Sequence, residues 1–371
     1  MKKKKTMKKK KSNPKHIVPD NNRYIDPNTE RRQEEGLIKP LFMSLFCGTG
    51  GSSLGYRWAD YKEILAVDYD EHAVQCFAAN FPDVPVKNWD LVEKSPENLL
   101  TEMNVKVGEL DLLDGSSSCV NLSRSNTEAE LYAISNKLFW KLALFVAEIQ
   151  PKVFLFENVE GLLDKRNLGI LLEQKRRLNT LNYVWGYAVF KAEEYGVPQQ
   201  RRRVIFIGIR KDVYIKSSKA SLFPLPNPDG AAQMALSKVL PNLSGCSPGQ
   251  FNDDFQFGNK PMCTITKTAS LWVHDKEGIK RKPTIEELKV ASTFPANFKF
   301  HGSFTQQWAR IGNAVPPKLI QAFAQNLNVN FLNPYLASDN HTKKEYEKLV
   351  MISNHFKQFG FKKIKDSKLK F

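Results

Sequence analysis

Short apolar runs alternate with amphipathic runs along the N-terminal half of the chain. Each apolar run has the length and side-chain content of a buried strand, and several of them end at glycine or at a carboxylic acid. The runs 71–80 and 137–149 show helical character, and Asp70 is the expected N-cap of the first. This alternation predicts an α/β fold with a doubly wound, mostly parallel sheet and helices on both faces. The predicted strands are residues 41–46, 64–67, 84–86, 110–113, 153–156 and 204–207.

The periodic pattern weakens between residues 211 and 260, where Pro, Ser, Asn, Gly and Asp are frequent. We expect a small, irregular second domain to begin there. Helical spacing returns at residues 284–292, and a final helix follows the segment 311–317. Residues 1–38 combine lysine runs with polar sequence that has no periodicity, so we expect this N-terminal tail to be disordered.

Charge is distributed unevenly along the 371 residues, whose formal net charge is +16. Residues 1–15 hold nine lysines and no acid, and residues 341–371 hold nine lysines and three acids, which leaves the segment between them nearly neutral. Basic tails give a salt-sensitive, sequence-independent attraction to nucleic acid. A solubilising role explains the first fifteen residues equally well.

Composition argues against disordered, membrane-spanning and secreted proteins. Hydrophobic residues make up 42% of the chain, which is enough for a sizeable core. No run approaches the roughly 20 apolar residues of a membrane-spanning helix, and no apolar segment follows the lysine-rich N-terminus as in a secretory signal. The five cysteines show no Cys-x-x-Cys spacing, so we expect no structural zinc site, no disulfide framework and a cytoplasmic location.

Two predicted strands end in side chains suited to covalent catalysis. The strand at 110–113 leads into a loop of small residues that carries Cys119, and the strand at 153–156 leads directly into Glu157. In open α/β sheets, ligands bind at the carboxyl ends of the parallel strands. A thiolate with a nearby acid indicates nucleophilic attack on an electron-poor carbon. The alternative interpretation is that Cys119 is an ordinary small loop residue and that Glu157 caps the end of its strand.

The turn at residues 46–51 has the pattern of a nucleoside-binding site. It joins a strand to a helix, and acids follow at the ends of the next two strands, at Asp68 and Asp90. Glycines let the backbone approach a ligand, and such an acid hydrogen-bonds ribose hydroxyls. Because the chain lacks both Gly-x-Gly-x-x-Gly and a phosphate-binding Gly-Lys-Ser/Thr at this turn, an adenosine ligand without phosphates, such as S-adenosylmethionine, fits best.

These segments together resemble the cytosine-5 DNA methyltransferase family over residues 41–326, apart from 211–260. The segments that carry the resemblance match the family's motifs in the family's order. They are the turn Phe46-Cys47-Gly48-Thr49-Gly50-Gly51, the acids Asp68 and Asp90, Cys119 at the nucleophile position of the family's Pro-Cys motif, Glu157-Asn158-Val159, the Gln-x-Arg-x-Arg residues Gln199, Arg201 and Arg203, and the late motif Gly312-Asn313-Ala314-Val315-Pro316-Pro317.

The resemblance implies a class I, Rossmann-like methyltransferase that uses S-adenosylmethionine and no metal. It implies a catalytic, cofactor-binding domain at residues 39–210, a small target-recognition region at 211–280, a return to the catalytic domain at 281–335 and a basic C-terminal extension at 336–371. The implied cofactor-binding residues are Phe46, Gly48, Thr49, Gly50, Gly51, Asp68, Asp90, Asn313 and Val315.

The implied reaction is methylation of cytosine at C5. Cys119 would add to C6 while Glu157 acts at N3, and Arg203 would help to stabilise developing charge and position the base. Arg201 is the fourth residue of the implied catalytic set. A base inside a duplex cannot reach such a site, so it must be flipped out. The resemblance implies a monomer that acts on double-stranded DNA, with a possible partner restriction endonuclease, in the cytoplasm or, in a prokaryote, at the nucleoid.

The chain departs from the family at the nucleophile loop. Ser118 stands where the family has proline, which would fix φ near about −65° and stiffen the loop, and Val120 stands where it has Gln. Two alternatives therefore stay open. One is a tRNA cytosine-5 methyltransferase, and the other is a catalytically weak or inactive methyltransferase-like protein that binds nucleic acid.

Overall fold

The computed structural model describes residues 33–34, 37–117, 134–217, 220–249, 255–338 and 347–355. Cys119, Ser118 and Val120 lie outside these residues, as do most of the predicted N-terminal tail and residues 356–371 of the predicted extension. One expectation is corrected, because Gln33–Glu34 and Leu37–Ile38 pair as short antiparallel strands within the tail predicted to be disordered. Near the other end, residues 347–355 are helical.

The strands fall into the short N-terminal pair, a large central sheet and a small antiparallel sheet. They are β1 Gln33–Glu34, β2 Leu37–Ile38, β3 Leu41–Leu45, β4 Lys62–Asp68, β5 Val86–Asn88, β6 Leu112–Gly115, β7 Val153–Val159, β8 Tyr183–Lys191, β9 Arg202–Arg210, β10 Leu243–Ser247, β11 Gln256–Phe257, β12 Trp272–Asp275 and β13 Lys280–Arg281.

The central sheet has seven strands in the order β5-β4-β3-β6-β7-β9-β8. The five strands from β5 to β7 are parallel to one another. The last two are not, because β9 runs antiparallel to β7 and β8 runs antiparallel to β9. The prediction of an α/β fold with a mostly parallel sheet is therefore confirmed.

Helices cover both faces of this sheet. Phe42 and Met43 are neighbours on β3 but belong to different hydrophobic clusters, because successive strand side chains point to opposite faces. The cluster around Met43 includes the helix Ile134–Ile149, and the cluster around Phe42 includes the helix Pro317–Leu327. Besides the helical residues 347–355, the α-helices of the described residues are Gly51–Arg57, Glu71–Asn80, Pro96–Met103, Ile134–Ile149, Leu168–Asn179, Lys211–Lys216, Gly230–Gln233, Leu236–Val239, Ile285–Ala291, Phe304–Asn313, Pro317–Leu327 and Asn333–Ala337.

The small sheet has the order β11-β10-β12-β13 and its own core. That core joins residues of the sheet, such as Val273, to Leu288, Trp308 and Ile311 on the two helices that follow it. The expected boundary at residue 280 therefore does not separate two cores, since these helices complete the core of the small sheet.

None of the helices in the described part of the chain combines the length and the apolar content that a bilayer crossing requires.

Candidate active site

Glu157 and Arg203 meet at one edge of the central sheet. Glu157 lies near the end of β7, and Arg203 lies at the start of β9, where it pairs with Val159. Because β9 runs opposite to the parallel strands, its first residues lie at the edge where those strands end. Arg203 Nε lies 2.5 Å from Glu157 Oε1, and the two side chains are 12% and 9% exposed. An acid and a cation thus lie side by side, largely out of water, at the edge expected to bind ligand.

Arg201, which the sequence predicts to be catalytic, points into the interior instead. Its side chain is 2% exposed, and its Nη1 and Nη2 donate to the carbonyl oxygens of Ile265 and Gly312, each at 3.0 Å. Gln199 makes a parallel set of bonds, since its Nε2 donates to Ser292 Oγ and its Oε1 accepts from the Ile265 N–H, both at 3.2 Å. These bonds indicate a positioning role for Arg201, and its predicted catalytic role stays a prediction.

The loop that should carry the nucleophile is described as far as Ser117. Its strand, β6, ends at Gly115, which pairs with Phe156 on β7, so the loop begins beside the residue that precedes Glu157. Ser117 is 3% exposed, and its Oγ has no hydrogen-bond partner among the described residues. Cys119 follows two positions later, outside the described residues, and its role stays a prediction.

Cys47 is a second cysteine close to this sheet edge, and its environment argues against a nucleophilic role. Burial raises the pKa of its thiol well above the ordinary value, and the negative charge of Asp68 raises this pKa further. Because the thiolate is the nucleophilic form of cysteine, Cys47 is poorly suited to attack a ring carbon.

The glycine turn is held against the end of β4. Phe46, Gly48 and Gly50 have φ values of 57°, 54° and 94°, in the left-handed region that is easy for glycine but strained for phenylalanine. The Gly48 N–H donates to Asp68 Oδ2 at 2.8 Å, and the Asp70 N–H donates to Asp68 Oδ1 at 2.9 Å. Burial raises the pKa of Asp68. Each carboxylate oxygen keeps a further lone pair, so Asp68 retains the capacity to accept ribose hydroxyls.

Glycines let the helix Gly51–Arg57 approach the late motif closely. A Cβ atom at Gly51 would lie 2.3 Å from the Val315 carbonyl oxygen, and one at Gly55 would lie 2.5 Å from the Pro317 carbonyl oxygen. Val315 is 4% exposed, whereas Asn313 is exposed at the end of its helix. The fold thus brings together Gly51 and Val315, two predicted cofactor residues from opposite ends of the catalytic region.

Two further predicted cofactor residues lie along the same edge. Asp90 is exposed two residues after β5 and accepts the Val92 N–H at 2.8 Å, while the Trp89 N–H donates to the Asp68 carbonyl oxygen at 2.9 Å. Thr49 is 4% exposed, and its Oγ1 has no hydrogen-bond partner in the described part of the chain. A buried hydroxyl without a partner is costly, and a polar ligand at the turn would satisfy it. These residues therefore fit an adenosine ligand.

Sequence reasoning missed two buried carboxyl groups beneath the turn. Glu63 on β4 accepts from Ser44 Oγ and from Ser53 Oγ, and Asp114 on β6 accepts from the Tyr56 hydroxyl at 3.0 Å. Burial raises the pKa of each carboxyl group to about 8. The available signal was an acid directly beside the apolar run of each strand, Glu63 before residues 64–67 on β4 and Asp114 after residues 112–113 on β6.

The described residues contain no group of three or more His, Cys, Asp or Glu side chains that could hold a metal ion.

Comparison with known proteins identifies a family and a set of relatives. The family model described as C-5 cytosine-specific DNA methylase matches residues 41–270 and 252–328. The chain is 28% identical to the type II methyltransferase M1.HphI of Haemophilus parahaemolyticus over 320 residues, which cover 76% of this chain and 85% of that protein. It is 29% identical to the type II methyltransferase M.PspPI of a Psychrobacter species over 356 residues, which cover 81% and 82%.

Solved structures share the fold. A putative DNA modification methyltransferase encoded within a prophage of E. coli matches with a TM-score of 0.60 and 21% identity, over 80% of this chain and all of that chain. DNMT2 of Spodoptera frugiperda matches with a TM-score of 0.54 and 16% identity, over 78% of this chain and 99% of that chain.

Proposed function

Because the chain belongs to the C-5 cytosine-specific DNA methylase family and is a DNA (cytosine-5-)-methyltransferase, we propose that it uses S-adenosylmethionine to methylate a flipped-out cytosine through a covalent adduct on Cys119. The observation that carries this mechanism is the Glu157–Arg203 pair at the sheet edge where the Cys119 loop begins.

Each protein group has a distinct part in the proposed reaction. The Cys119 thiolate forms a bond to C6 of the cytosine, and the electron pair of the C5–C6 double bond moves toward C5 and the ring. Glu157 hydrogen-bonds at N3 and offsets the negative charge that develops there, while Arg203 fixes the orientation of Glu157. After C5 is methylated, loss of the C5 proton restores the double bond and expels the thiolate.

The cofactor would lie at the glycine turn. When bound, S-adenosylmethionine supplies an electrophilic methyl group on a sulfonium. Asp68 would accept hydrogen bonds from its ribose hydroxyls, and Asp90 would contact its adenine. Gly48, Gly50 and Gly51 would let the backbone approach it. The Thr49 hydroxyl has no hydrogen-bond partner among the described residues, which supports a polar ligand at this place.

The family implies DNA as the substrate. We further propose a role in restriction–modification, with a partner endonuclease that cuts the same unmodified site, because the relatives M1.HphI and M.PspPI are type II methyltransferases. A tRNA substrate is the second candidate. The feature that favours it is Ser118 in place of proline before Cys119, because serine allows the nucleophile loop a different path that would suit another substrate.

The test is single-turnover methyl transfer by the Glu157→Gln variant to duplex DNA, single-stranded DNA and tRNA. Since Gln keeps the shape of the side chain but cannot donate an acid proton, we expect a rate loss of about 10²–10⁴-fold with unchanged cofactor affinity. Glu160→Gln is the matched control, because Glu160 follows β7 and pairs with Arg202 at 3.4 Å, outside the proposed site. An unchanged rate for Glu157→Gln would refute the assigned role.

The covalent step is tested separately at Cys119. We expect Cys119→Ser to abolish methyl transfer and to bind S-adenosylmethionine as the wild type does, because a hydroxyl does not ionise at neutral pH without a dedicated base. A duplex with 5-fluorocytosine at the target should trap the wild-type protein as an adduct that survives denaturation. Comparable turnover by the serine variant would rule out covalent catalysis by Cys119.

A further inference from the structure

Cys246 and Cys263 form a thiol pair in the small sheet, outside the set of residues assigned to methyl transfer. Cys246 lies on β10, Cys263 lies on the segment after β11, and their Sγ atoms are 2.8 Å apart. Both cysteines are free thiols. We propose that this pair is a thiol–disulfide exchange site, which reacts with a small anionic disulfide of the glutathione type and closes to a reversible intramolecular disulfide.

The geometry around the pair favours closure. Sulfur atoms in a disulfide lie about 2.05 Å apart, so closure needs an approach of less than about 1 Å. The Cys263 N–H donates to Cys246 Sγ at 3.1 Å, and Gln256 Nε2 donates to it at 3.7 Å. The hydrogen bond from the Cys263 thiol lowers the pKa of Cys246. The same hydrogen bond raises the pKa of Cys263, so Cys246 holds the negative charge at rest, and Cys263 becomes a thiolate only when it passes its proton to Cys246.

A cavity gives small molecules access to one member of the pair. Cys263 is 7% exposed and lines a cavity of about 720 Å³, whereas Cys246 is fully buried. The cavity wall also includes Lys260, Asn259 and Gln200, which offer one positive charge and two amide groups. This volume lies within the range of small-ligand sites, and these groups suit an anionic, peptide-like thiol compound. Cys263 is therefore the sulfur that meets the incoming disulfide.

The reaction proceeds in two exchange steps. In the first, Cys263 passes its proton to the Cys246 thiolate and attacks one sulfur of glutathione disulfide, which forms a mixed disulfide and releases one glutathione thiolate. In the second, this glutathione thiolate takes the proton from Cys246, and the Cys246 thiolate attacks the Cys263 sulfur, which closes the Cys246–Cys263 bond and releases the second glutathione as a thiolate. Two protein thiols are oxidised, and one glutathione disulfide is reduced to two glutathione molecules.

Closure would reinforce the contact between the small sheet and the catalytic motif. The Gln200 N–H donates to the Met262 carbonyl oxygen at 2.8 Å, and Arg201 donates to the Ile265 carbonyl oxygen at 3.0 Å. A Cys246–Cys263 bond would tie β10 covalently to this same segment. We therefore expect the oxidised protein to melt at a higher temperature than the reduced protein.

The experiment equilibrates the full-length protein in glutathione buffers from fully reduced to fully oxidised, and then alkylates the remaining thiols under denaturing conditions. Cleavage before Asp253 separates the two cysteines into different peptides, so a disulfide is seen by mass spectrometry as a linked pair. We expect the linked pair to accumulate while Cys76 stays alkylatable. Absence of the linked pair in glutathione disulfide alone would overturn the proposal.

Single variants test the order of the steps. Cys246→Ser should accumulate glutathione on Cys263, and Cys263→Ser should be modified at Cys246 at least about tenfold more slowly, because Cys246 is buried. Cys76→Ser is the matched control, since Cys76 is buried and its Sγ accepts the His301 N–H at 3.3 Å, and it should form the link as the wild type does. Equal rates in the first two variants would refute the order. If either variant fails to fold, the wild-type peptide measurement still decides whether the bond forms.

Discussion

Glu63 beneath the glycine turn should make this protein less stable as the pH rises toward 8. Its side chain is 4% exposed on β4, and one carboxyl oxygen accepts from the hydroxyls of Ser44 and Ser53. Burial raises its pKa from 4.5 to about 8. The folded protein therefore keeps a proton on Glu63 over a range of pH in which the unfolded chain has already released it.

The sign and size of the effect follow from this difference in bound protons. Between about pH 4.5 and pH 8 the unfolded chain binds fewer protons at this position, so the free energy of unfolding falls as the pH rises. The slope is about 1.4 kcal/mol per pH unit, and over about three units the loss approaches about 4 kcal/mol. The stability that the raised pKa provides is complete at low pH and declines progressively until the folded group also ionises.

The perturbation that removes this effect is Glu63→Gln, because Gln imitates the neutral acid and cannot ionise. Urea unfolding at about pH 5.5 and at about pH 8 should show the variant gaining stability relative to the wild type as the pH rises, by about 2–4 kcal/mol. Glu286→Gln makes the same chemical change at an exposed position, where the side chain is 69% exposed, and should leave the pH dependence unchanged. Parallel pH curves for wild type and Glu63→Gln would refute the reasoning.

The close approach of Gly51 to the Val315 carbonyl oxygen predicts that Gly51→Ala destabilises the protein by about 1–3 kcal/mol, and an unchanged urea midpoint would contradict it. Asp68→Asn should weaken S-adenosylmethionine binding, measured by calorimetry, by about tenfold or more, with the melting temperature of the protein little changed. Equal affinity in the variant would show that Asp68 does not bind the cofactor. Deletion of residues 1–36 should weaken the salt dependence of DNA binding. The slope of the logarithm of the binding constant against the logarithm of the salt concentration should become shallower by about 0.9 for each phosphate that the tail neutralises, while discrimination between DNA sequences stays the same. An identical slope would show that these lysines have a solubilising role only.

The sequence predicts best the elements whose pattern is local. The helix Glu71–Asn80 has the predicted bounds and the predicted N-cap, because Asp70 accepts from the His72 N–H at 3.0 Å. Strand β8, Tyr183–Lys191, was not predicted, because its residues are mostly half-buried and give no clear alternation. The helix Leu168–Asn179 was also missed, since polar residues such as Glu173 and Gln174 lie on its buried face.

Site residues were predicted from motifs, and the motifs do not reveal which partner each side chain meets. The match to the family's Gln-x-Arg-x-Arg motif implied two catalytic arginines, Arg201 and Arg203. In the fold Arg203 reaches Glu157, whereas Arg201 binds the carbonyl oxygens of Ile265 and Gly312, which lie 64 and 111 residues further along the chain. Successive residues within a strand point to opposite faces of the sheet. Because Arg201 precedes β9, this alternation does not predict where its side chain points.

The direction of β9 explains why Arg201 and Arg203 lie at the same edge of the sheet as Glu157. Had β9 run parallel to β7, its first residues would lie at the opposite edge of the sheet, a full strand length away from Glu157. The antiparallel register instead brings Arg203 beside Val159 and leaves Arg201 just beyond the strand, where it bonds both to the segment of Ile265 and to the end of the helix at Gly312. One reversed strand therefore supplies the partner of Glu157 and holds the segment of Ile265 and the late motif at the same edge. A substitution that weakens these long-range bonds, such as Arg201→Lys, should disturb the placement of the target base more than the binding of the cofactor.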